Sequence, residues 1–506
     1  MQSTTKIEYG DFQTPDGLAR RVVRLLVEKG IAPDVVVEPT CGKGSFVRAS
    51  SEAFPSAQGV FAFEINADYV NEARMQMLTA PHAPVTVDCR DFFTMDWDGF
   101  VSGLEGSLLV VGNPPWVTNS ALSSMGSENL PKKSNFQQYG GFAAKTGKAN
   151  FDISEWMLIR LLEALRNRDA CLAMLCKTST ARKVLRHAWR KHLPIRDCSL
   201  HTIDAAREFE VSVDACLFIV RMGEDGAEKT ADVYPSLGFD NKQATIGWVG
   251  GEMVADVVSY QMLRDLDGLP YYTWRSGVKH DAAAVMEFRE RDGLLVNGKG
   301  ETVALENTYL FPLLKSSDVA NGRLTPTRFV LLPQKTPSDD TAAVRVTAPL
   351  TWDYLCRHGD ALDKRRSVIY AKRPRFAIFG IGEYTFAPWK VAVSGLYKTC
   401  RFEVVGSYSG KPIVLDDTCY FISCATSEEA HFIARLLNSD VCQQFIRSLV
   451  FFDSKRPITV DILNRIDLKH VADRLGLATE ALHFLPYAFS DESDQLLIVF
   501  ERDDEF

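Results

Sequence analysis

Short apolar runs alternate with helix-like patterns through the first half of the chain. Apolar residues recur at helical spacing in residues 18–27, which predicts an amphipathic helix. The runs that are typical of buried strands are residues 35–37, 60–65, 85–87, 108–111, 170–176 and 215–220. Strands that alternate with helices predict an α/β fold with a parallel, doubly wound, Rossmann-like sheet. Such sheets bind ligands beyond the carboxyl ends of their strands, so the residues after each strand are the candidate site.

The pattern of the chain changes after Met222. Residues 223–242 are polar and rich in Gly and Asp, which predicts a loop or linker. Beyond them the apolar runs are shorter and turn signals are denser, which is typical of an irregular α+β domain. We therefore expect one domain at residues 1–240, a second at 241–470, and an acid-rich C-terminal extension at 471–506.

The composition is that of a globular protein. Of 506 residues, 46% are apolar and 24% are charged, which excludes collagen, a disulfide scaffold and wholesale disorder. The eleven cysteines form no CxxC pair and no zinc-finger spacing with histidine, so we expect reduced thiols and no metal site. The N-terminus lacks an apolar signal region, and no stretch approaches ~18 apolar residues. The sequence therefore predicts a cytoplasmic protein with no membrane segment.

The charge of the chain is unevenly distributed. The 57 Lys and Arg against 65 Asp and Glu give a net charge of −8, which argues against simple electrostatic binding of a polyanion. Residues 132–207, however, hold fifteen basic and six acidic side chains, and residues 177–196 contain no acid. The candidate phosphate contacts are Lys148, Lys177, Arg182, Lys183, Arg186, Arg190 and Lys191. A solvated helix face is the alternative interpretation of this basic run.

Three strand ends carry residues suited to a nucleoside-containing cofactor. The first is followed by EPTCGKGSF, where Gly42 and Gly44 permit a tight turn and close backbone approach to a ligand. The motif is neither GxGxxG nor a Walker loop. Glu64 ends the second strand, where an acid can hold both ribose hydroxyls. Asp91 and Phe92 follow the third, and an acid beside an aromatic ring suits the edge and face of adenine. Each residue alone fits a helix cap or a core aromatic, but the ordered set favours a binding site.

The fourth strand ends in Asn113-Pro114-Pro115-Trp116. The two prolines stiffen the backbone and remove two N–H donors, which leaves carbonyl groups free to accept from a ligand. Asn113 adds a side-chain carbonyl, and Trp116 adds a flat face. Two acceptors beside an aromatic plate predict a site for the exocyclic amino group of a planar base.

With these motifs in this order, the chain resembles the gamma-class N6-adenine DNA methyltransferases, in particular the TaqI-like restriction–modification enzymes. Thr14 matches their N-terminal Thr-Pro motif, and the resemblance extends more loosely over most of residues 11–470. It implies S-adenosylmethionine as cofactor, held by Thr14, Glu38, Thr40, Gly42, Gly44, Glu64, Asp91 and Phe92. It implies a catalytic Asn113, Pro114, Pro115 and Trp116. It also implies a second half that recognises the target sequence in double-stranded DNA.

The resemblance implies that the target adenine flips out of the duplex and stacks on Trp116. Phe209 matches a second base-stacking aromatic, with an ordinary core phenylalanine as the alternative. The chain departs from the family in carrying Trp116 where Tyr or Phe is more frequent, and Thr40 where Ala or Ser is often found. Partners expected of such an enzyme are a separate restriction endonuclease or other defence subunits.

Three other functions stay open at this point. An RNA adenine or protein-glutamine methyltransferase shares the Asn-Pro-Pro motif but usually lacks a large second domain. A catalytically weak DNA-recognition subunit would not need the intact set of motif residues. A fused restriction–methylation enzyme would need a nuclease motif, and no convincing PD-(D/E)xK pattern is present.

Overall fold

The structure, a computed structural model, describes residues 13–77, 82–117, 152–223, 229–365, 367–370 and 373–485. Within these ranges the chain forms two compact units that divide between Val258 and Ser259.

The first unit is built around one large sheet. Its strands are β1 (Val35–Glu38), β2 (Gly59–Glu64), β3 (Val85–Cys89), β4 (Leu108–Gly112), β5 (Ala170–Lys177), β6 (Ile195–Ile203), β7 (Ala215–Met222), β8 (Thr230–Tyr234), β9 (Ala244–Val249) and β10 (Glu252–Val254). Its helices are α1 (Asp16–Glu28), α2 (Ser45–Ala53), α3 (Ala67–Met77), α4 (Trp97–Ser102), α5 (Ile153–Leu165), α6 (Thr178–Arg190) and α7 (Ala205–Phe209).

The ten strands have the order β10-β9-β8-β6-β7-β5-β4-β1-β2-β3. Strands β1 to β5 pair in parallel, as the alternation of strands and helices predicts. The all-parallel prediction is wrong for β7, which runs antiparallel to both β5 and β6. A run that is buried along nearly its whole length gives the same hydrophobic pattern in either direction, so the sequence does not reveal this reversal.

The predicted linker at residues 223–242 contains β8, which pairs in parallel with β6. Strands β9 and β10 extend the same sheet by antiparallel pairing. The first unit therefore continues past the predicted boundary at residue 240 to Val258. These strands escape prediction because they are short and only partly buried at the margin of the sheet.

Helix α1 shows how the first unit forms its core. Pro15 is its N-cap, and the Pro15 carbonyl accepts the N–H groups of Leu18 and Ala19 in the first turn. One face buries Leu18, Ala19, Val22, Val23, Leu25 and Leu26. These side chains pack with residues from β1, β2, β4 and β7 in one cluster, which fixes the helix against the sheet.

The second unit is an α+β assembly, as predicted from its shorter runs and dense turns. Its strands are β11 (Arg275–Ser276), β12 (Glu287–Arg291), β13 (Leu294–Asn297), β14 (Thr302–Val303), β15 (Leu310–Leu314), β16 (Arg328–Leu331), β17 (Trp389–Ser394), β18 (Glu403–Val405), β19 (Ser407–Tyr408), β20 (Lys411–Pro412), β21 (Val414–Leu415) and β22 (Cys419–Cys424). They form sheets of order β11-β22-β17-β18, β14-β13-β12-β16-β15-β21 and β19-β20.

The helices from the division onward are mostly short. They are α8 (Val257–Met262), α9 (Ala283–Met286), α10 (Ser316–Ala320), α11 (Val344–Thr347), α12 (Pro349–Arg357), α13 (Gly359–Asp363), α14 (Ser427–Leu437), α15 (Asp440–Leu449), α16 (Val460–Leu463), α17 (Leu468–Arg474) and α18 (Ala478–Phe484). Helix α17 crosses the predicted boundary at residue 470, so the described part of the expected C-terminal extension belongs to the second unit. In the ranges that the structure describes, no helix combines the length and apolarity needed to cross a bilayer.

Phe218 tests the packing of the central sheet. It lies on β7, is fully buried, and is paired with Met174 and Leu200 on the flanking strands. Phe218→Ala should cost about 3–5 kcal/mol of unfolding free energy because it leaves a cavity in a dense core. Met75→Ala, at a side chain that is 68% exposed, should change the unfolding free energy by less than about 0.5 kcal/mol. Urea unfolding followed by circular dichroism measures both, and equal effects would contradict the placement of β7.

Candidate active site

The residues predicted at successive strand ends meet at one edge of the large sheet. Glu38 and Glu64 are the last residues of β1 and β2, Asp91 follows β3 closely, and Asn113 follows β4 directly. Parallel pairing of these strands places all four ends together. They surround a cavity whose empty space, counted together with its open mouth, is about 910 Å³.

The cavity brings together most of the predicted site residues. Those that line it are Thr14, Glu38, Thr40, Gly42, Glu64, Asp91, Phe92, Asn113 and Pro115. Gly44 lies just behind the wall as the N-cap of α2, with φ at 90°. The positive φ favours glycine, and a Cβ atom there would make a tight 3.3 Å contact with the Cβ of Ala73. Pro114 and Trp116 are buried outside the lining.

Glu64 organises the glycine turn as well as the cavity wall. Its Oε2 atom accepts the N–H of Gly42 at 2.9 Å, and its Oε1 atom accepts the N–H of Asn66 at 2.9 Å. Each carboxylate oxygen has a second lone pair, so the group can still accept from ligand hydroxyls. The two backbone donors fix the carboxylate in place before a ligand arrives.

Glu38 and Thr40 present polar atoms that the protein itself does not satisfy. Glu38 Oε2 and Thr40 Oγ1 are buried and have no hydrogen-bond partner among the described residues. Burial raises the pKa of the Glu38 carboxyl well above its ordinary value, and the nearby Glu64 carboxylate raises it further. A buried acceptor without a partner is costly, so this part of the cavity fits a ligand that supplies a cationic donor.

Part of the cavity lining is aromatic. Phe92 and Phe93 pack edge to face with ring centroids 5.9 Å apart, and Trp156 lies 5.3 Å from Phe93. Asp91 Oδ1 accepts the N–H of Phe93 at 2.9 Å, which fixes the carboxylate at the rim. A carboxylate beside ring faces suits an adenine with an exocyclic amino group.

Several lining residues were not predicted from the sequence. They are Gln13, Tyr69, Arg90, Phe93 and Met157, besides the backbone neighbours of the predicted residues. Arg90 and Phe93 directly flank the predicted Asp91-Phe92 pair, and this adjacency is the sequence signal for them. Met157 comes from α5, and no sequence signal connects that helix with the first three strand ends.

Trp116 and Phe209 lie in contact with each other rather than on two sides of a slot. Their ring centroids are 5.1 Å apart with an interplanar angle of 68°, and both side chains belong to the hydrophobic core. The Trp116 Nε1–H donates to the carbonyl of Leu175 at 3.3 Å. This edge-to-face contact is favourable because it removes the surface of both rings from water. Phe209 therefore packs in the core beside Trp116 in this structure, and its base-stacking role stays a prediction.

The structure divides the predicted phosphate contacts into two groups. Arg186, Arg190 and Lys191 are exposed along and just after α6, and so is Lys183, whose Nζ atom lies 3.4 Å from Oε2 of the buried Glu155. Arg182 is buried, with 8% of its surface exposed, so it is removed from the predicted set. Lys177 is also removed, because its Nζ atom donates to Asp152 Oδ2 at 2.6 Å and to the carbonyl of Trp116 at 3.0 Å.

Lys148 lies outside the described residues. The helix pattern marks residues 178–190 as amphipathic, but it does not reveal which cations lie on the packed face.

Taken together, the parallel part of the sheet, this cavity and these acceptors fit a class I methyltransferase that uses S-adenosylmethionine. Glu38 would hold the ammonium of its methionine end, Glu64 its ribose hydroxyls, and Asp91 with Phe92 its adenine. A search of family models finds no match. The type II methyltransferase M.NspV of Nostoc sp. (strain ATCC 29411 / PCC 7524) is 44% identical over 470 residues, covering 92% of this chain and 98% of that relative.

The chain therefore belongs to the type II methyltransferases, the modification enzymes of restriction–modification systems, and S-adenosylmethionine is confirmed as its cofactor. Among solved structures, the type IIL restriction–modification enzyme MmeI in complex with DNA matches with a TM-score of 0.55 and 13% identity. The match covers 88% of this chain, which spans only 64% of that enzyme's length. At this identity the likeness shows the fold alone.

Glu38 should make cofactor binding depend on pH. A cationic ligand favours the ionised carboxylate, so binding should release protons and should strengthen as pH rises toward the raised pKa of Glu38. Glu38→Gln should weaken binding about 10–100-fold, the value of a charged hydrogen bond, and should abolish both effects. Calorimetry in two buffers of different ionisation enthalpy measures the protons released. Glu28→Gln, at an exposed position on α1, is the control, and unchanged proton release in Glu38→Gln would refute the assignment.

Proposed function

We propose that this methyltransferase transfers the methyl group of S-adenosylmethionine to N6 of an adenine in double-stranded DNA. The observation that carries the proposal is the shared cavity, in which Asn113 and Pro115 line the same space as the cofactor-holding residues. A planar base presented to the Asn113–Trp116 loop therefore meets the methyl donor directly. This corresponds to the gamma class of N6-adenine methyltransferases.

In this mechanism the protein positions the nucleophile. The bound cofactor supplies an electrophilic methyl group on a sulfonium centre. Adenine N6 is a weak nucleophile because its lone pair is delocalised into the ring. Hydrogen bonds from N6–H to the Asn113 side-chain oxygen and the Pro114 carbonyl would localise that pair and direct it at the methyl carbon. Positioning and electrostatic stabilisation then provide the catalysis, and the proton leaves to solvent.

A base within a duplex cannot reach this cavity, so the target adenine has to flip out at a cost of a few kcal/mol. Stacking on the ring of Trp116 would offset this cost at about 1–3 kcal/mol per face. Because Phe209 contacts Trp116 edge to face, base entry requires Phe209 to move aside. Phe209 then becomes available as the second stacking surface.

The second unit, from Ser259 onward, is the part we assign to target recognition. Its size and its separate cores suit an independent DNA-reading module. The family suggests that a separate restriction endonuclease or other defence subunits act with the enzyme, in the cytoplasm of a bacterium.

Asn113→Ala should abolish methyl transfer while binding of S-adenosylmethionine is retained within about threefold, because the side chain touches the base rather than the cofactor's holding groups. Purified protein, labelled cofactor and genomic DNA, followed by modification-sensitive sequencing, measure the transfer and its position. Label found at N4 of cytosine would overturn the adenine assignment. Label found in RNA or protein alone would overturn the DNA substrate, and no label in any acceptor would favour a DNA-binding subunit.

The exposed cations of α6 should contribute to DNA binding according to their distance from the site. The helix begins directly after β5, so Lys183 and Arg186 lie near the site edge, whereas Arg190 and Lys191 lie roughly 18 Å along the axis. Arg186→Gln should weaken DNA binding and make the log–log salt slope shallower by about 1. Arg190→Gln removes the same charge and should change the slope less. Equal slopes for the two variants would reject a local phosphate contact.

A further inference from the structure

The lysine at the end of β5 holds the main chain of the predicted catalytic loop. Lys177 Nζ donates to the carbonyl of Trp116 at 3.0 Å and to Asp152 Oδ2 at 2.6 Å. Its side chain is 22% exposed, and that of Asp152 is 8% exposed. Strand register explains the meeting, because β5 lies parallel to β4 and opposes Met174 to Gly112, so both chain segments leave the sheet at one edge.

Asp152 connects this ion pair to the start of a helix. Its Oδ1 atom accepts the N–H of Ser154 at 3.1 Å and caps α5, which contributes Met157 to the cavity wall. The N–H of Ile153 donates to the carbonyl of Val117 at 2.9 Å. The segment that follows Pro115 is therefore joined to β5 and to α5 by polar contacts from both sides.

The prolines make these contacts relevant to Asn113. Pro114 and Pro115 fix φ at two successive residues, so the chain between Asn113 and Trp116 has little freedom to absorb a displacement. A shift of the Trp116 carbonyl is therefore passed back to the Asn113 side chain and the Pro114 carbonyl. A misplacement of about 1 Å at a reacting centre can cost about 100-fold in rate.

We propose that Lys177 and Asp152 form a positioning ion pair that sets the placement of the Asn113–Trp116 loop at the cofactor cavity. The inference rests on the proposed function of that loop. Lys177 acts through the main chain of the loop and contacts neither the base nor a phosphate. Asp152 neutralises the charge of Lys177 and, by capping α5, connects the loop to that helix.

The test is a double-mutant cycle with Lys177→Met and Asp152→Asn. Asparagine retains an acceptor for the helix cap and removes only the charge. Each single variant should lower the single-turnover transfer rate about 10–100-fold, with KM for S-adenosylmethionine and for DNA within about twofold. The double variant should be about as slow as either single variant, because both remove one connection. Lys177→Arg, which keeps donors and charge, should recover part of the rate.

Two alternative roles give different results. If the pair serves only stability, the double variant, which no longer buries an unpaired carboxylate, should recover both thermal stability and transfer rate. If Lys177 contacts a DNA phosphate, Lys177→Met should raise KM for DNA and flatten its salt dependence while the saturating rate is unchanged. Either result overturns the proposal.

Lys229→Met is the matched control. Lys229 also donates to a tryptophan carbonyl, that of Trp189 at 2.8 Å, but near the far end of α6, so its loss should leave the transfer rate unchanged.

A second measurement does not depend on the acceptor. Amide hydrogen exchange of the peptide containing Trp116 and Val117 should accelerate in Lys177→Met and stay unchanged in Lys229→Met. If wild-type protein methylates no adenine, the proposed function fails while the exchange result still tests the positioning pair. Unchanged exchange in an enzyme that does methylate adenine rejects the pair alone.

Discussion

The parallel register of β1 with β2 and β4 is the constraint on which the site depends. It brings residues separated by up to 75 positions, from Glu38 to Asn113, to one edge of one sheet. Side chains there face a space that neither layer of helices fills, which is a general property of parallel sheets at their carboxyl ends. Residues of α2, α3 and α5 then complete the walls, so fold and cavity have the same physical origin.

The buried Glu38 and the half-buried Glu64 at this edge have opposite relations to the protein. Glu64 is satisfied by backbone donors and holds the glycine turn in shape. Glu38 keeps a buried oxygen without a partner among the described residues, and its pKa is raised by burial. The Glu64 carboxylate is therefore held in place before any ligand binds. The Glu38 carboxyl carries an unfavourable desolvation that a cationic ligand relieves. Such a pair combines a rigid frame with a strong preference for charge.

The sequence predicts residues at strand ends well because hydrophobic runs and the polar residue after them are both local signals. Glu38, Glu64 and Asn113 could be placed at one edge on that basis alone. The direction of β7 could not be predicted, since a buried run shows the same hydrophobic pattern in both directions. The role of Lys177 could not be predicted either, because an uninterrupted basic run suggests an exposed surface. Only the register of β4 and β5 reveals that the Trp116 carbonyl lies beside the Lys177 side chain. Both features depend on contacts between residues that are distant in the sequence, which local sequence patterns do not report.

All eleven cysteines are free thiols, and nine of them are buried. The two exposed ones are Cys89, at the end of β3 in the first unit, and Cys356, on α12 in the second. The native chain thus carries one accessible attachment point in each unit. A donor and an acceptor dye placed there without any engineered residue would form a molecular ruler across the division at Val258. Energy transfer between the dyes could then report whether their separation changes when a duplex is added.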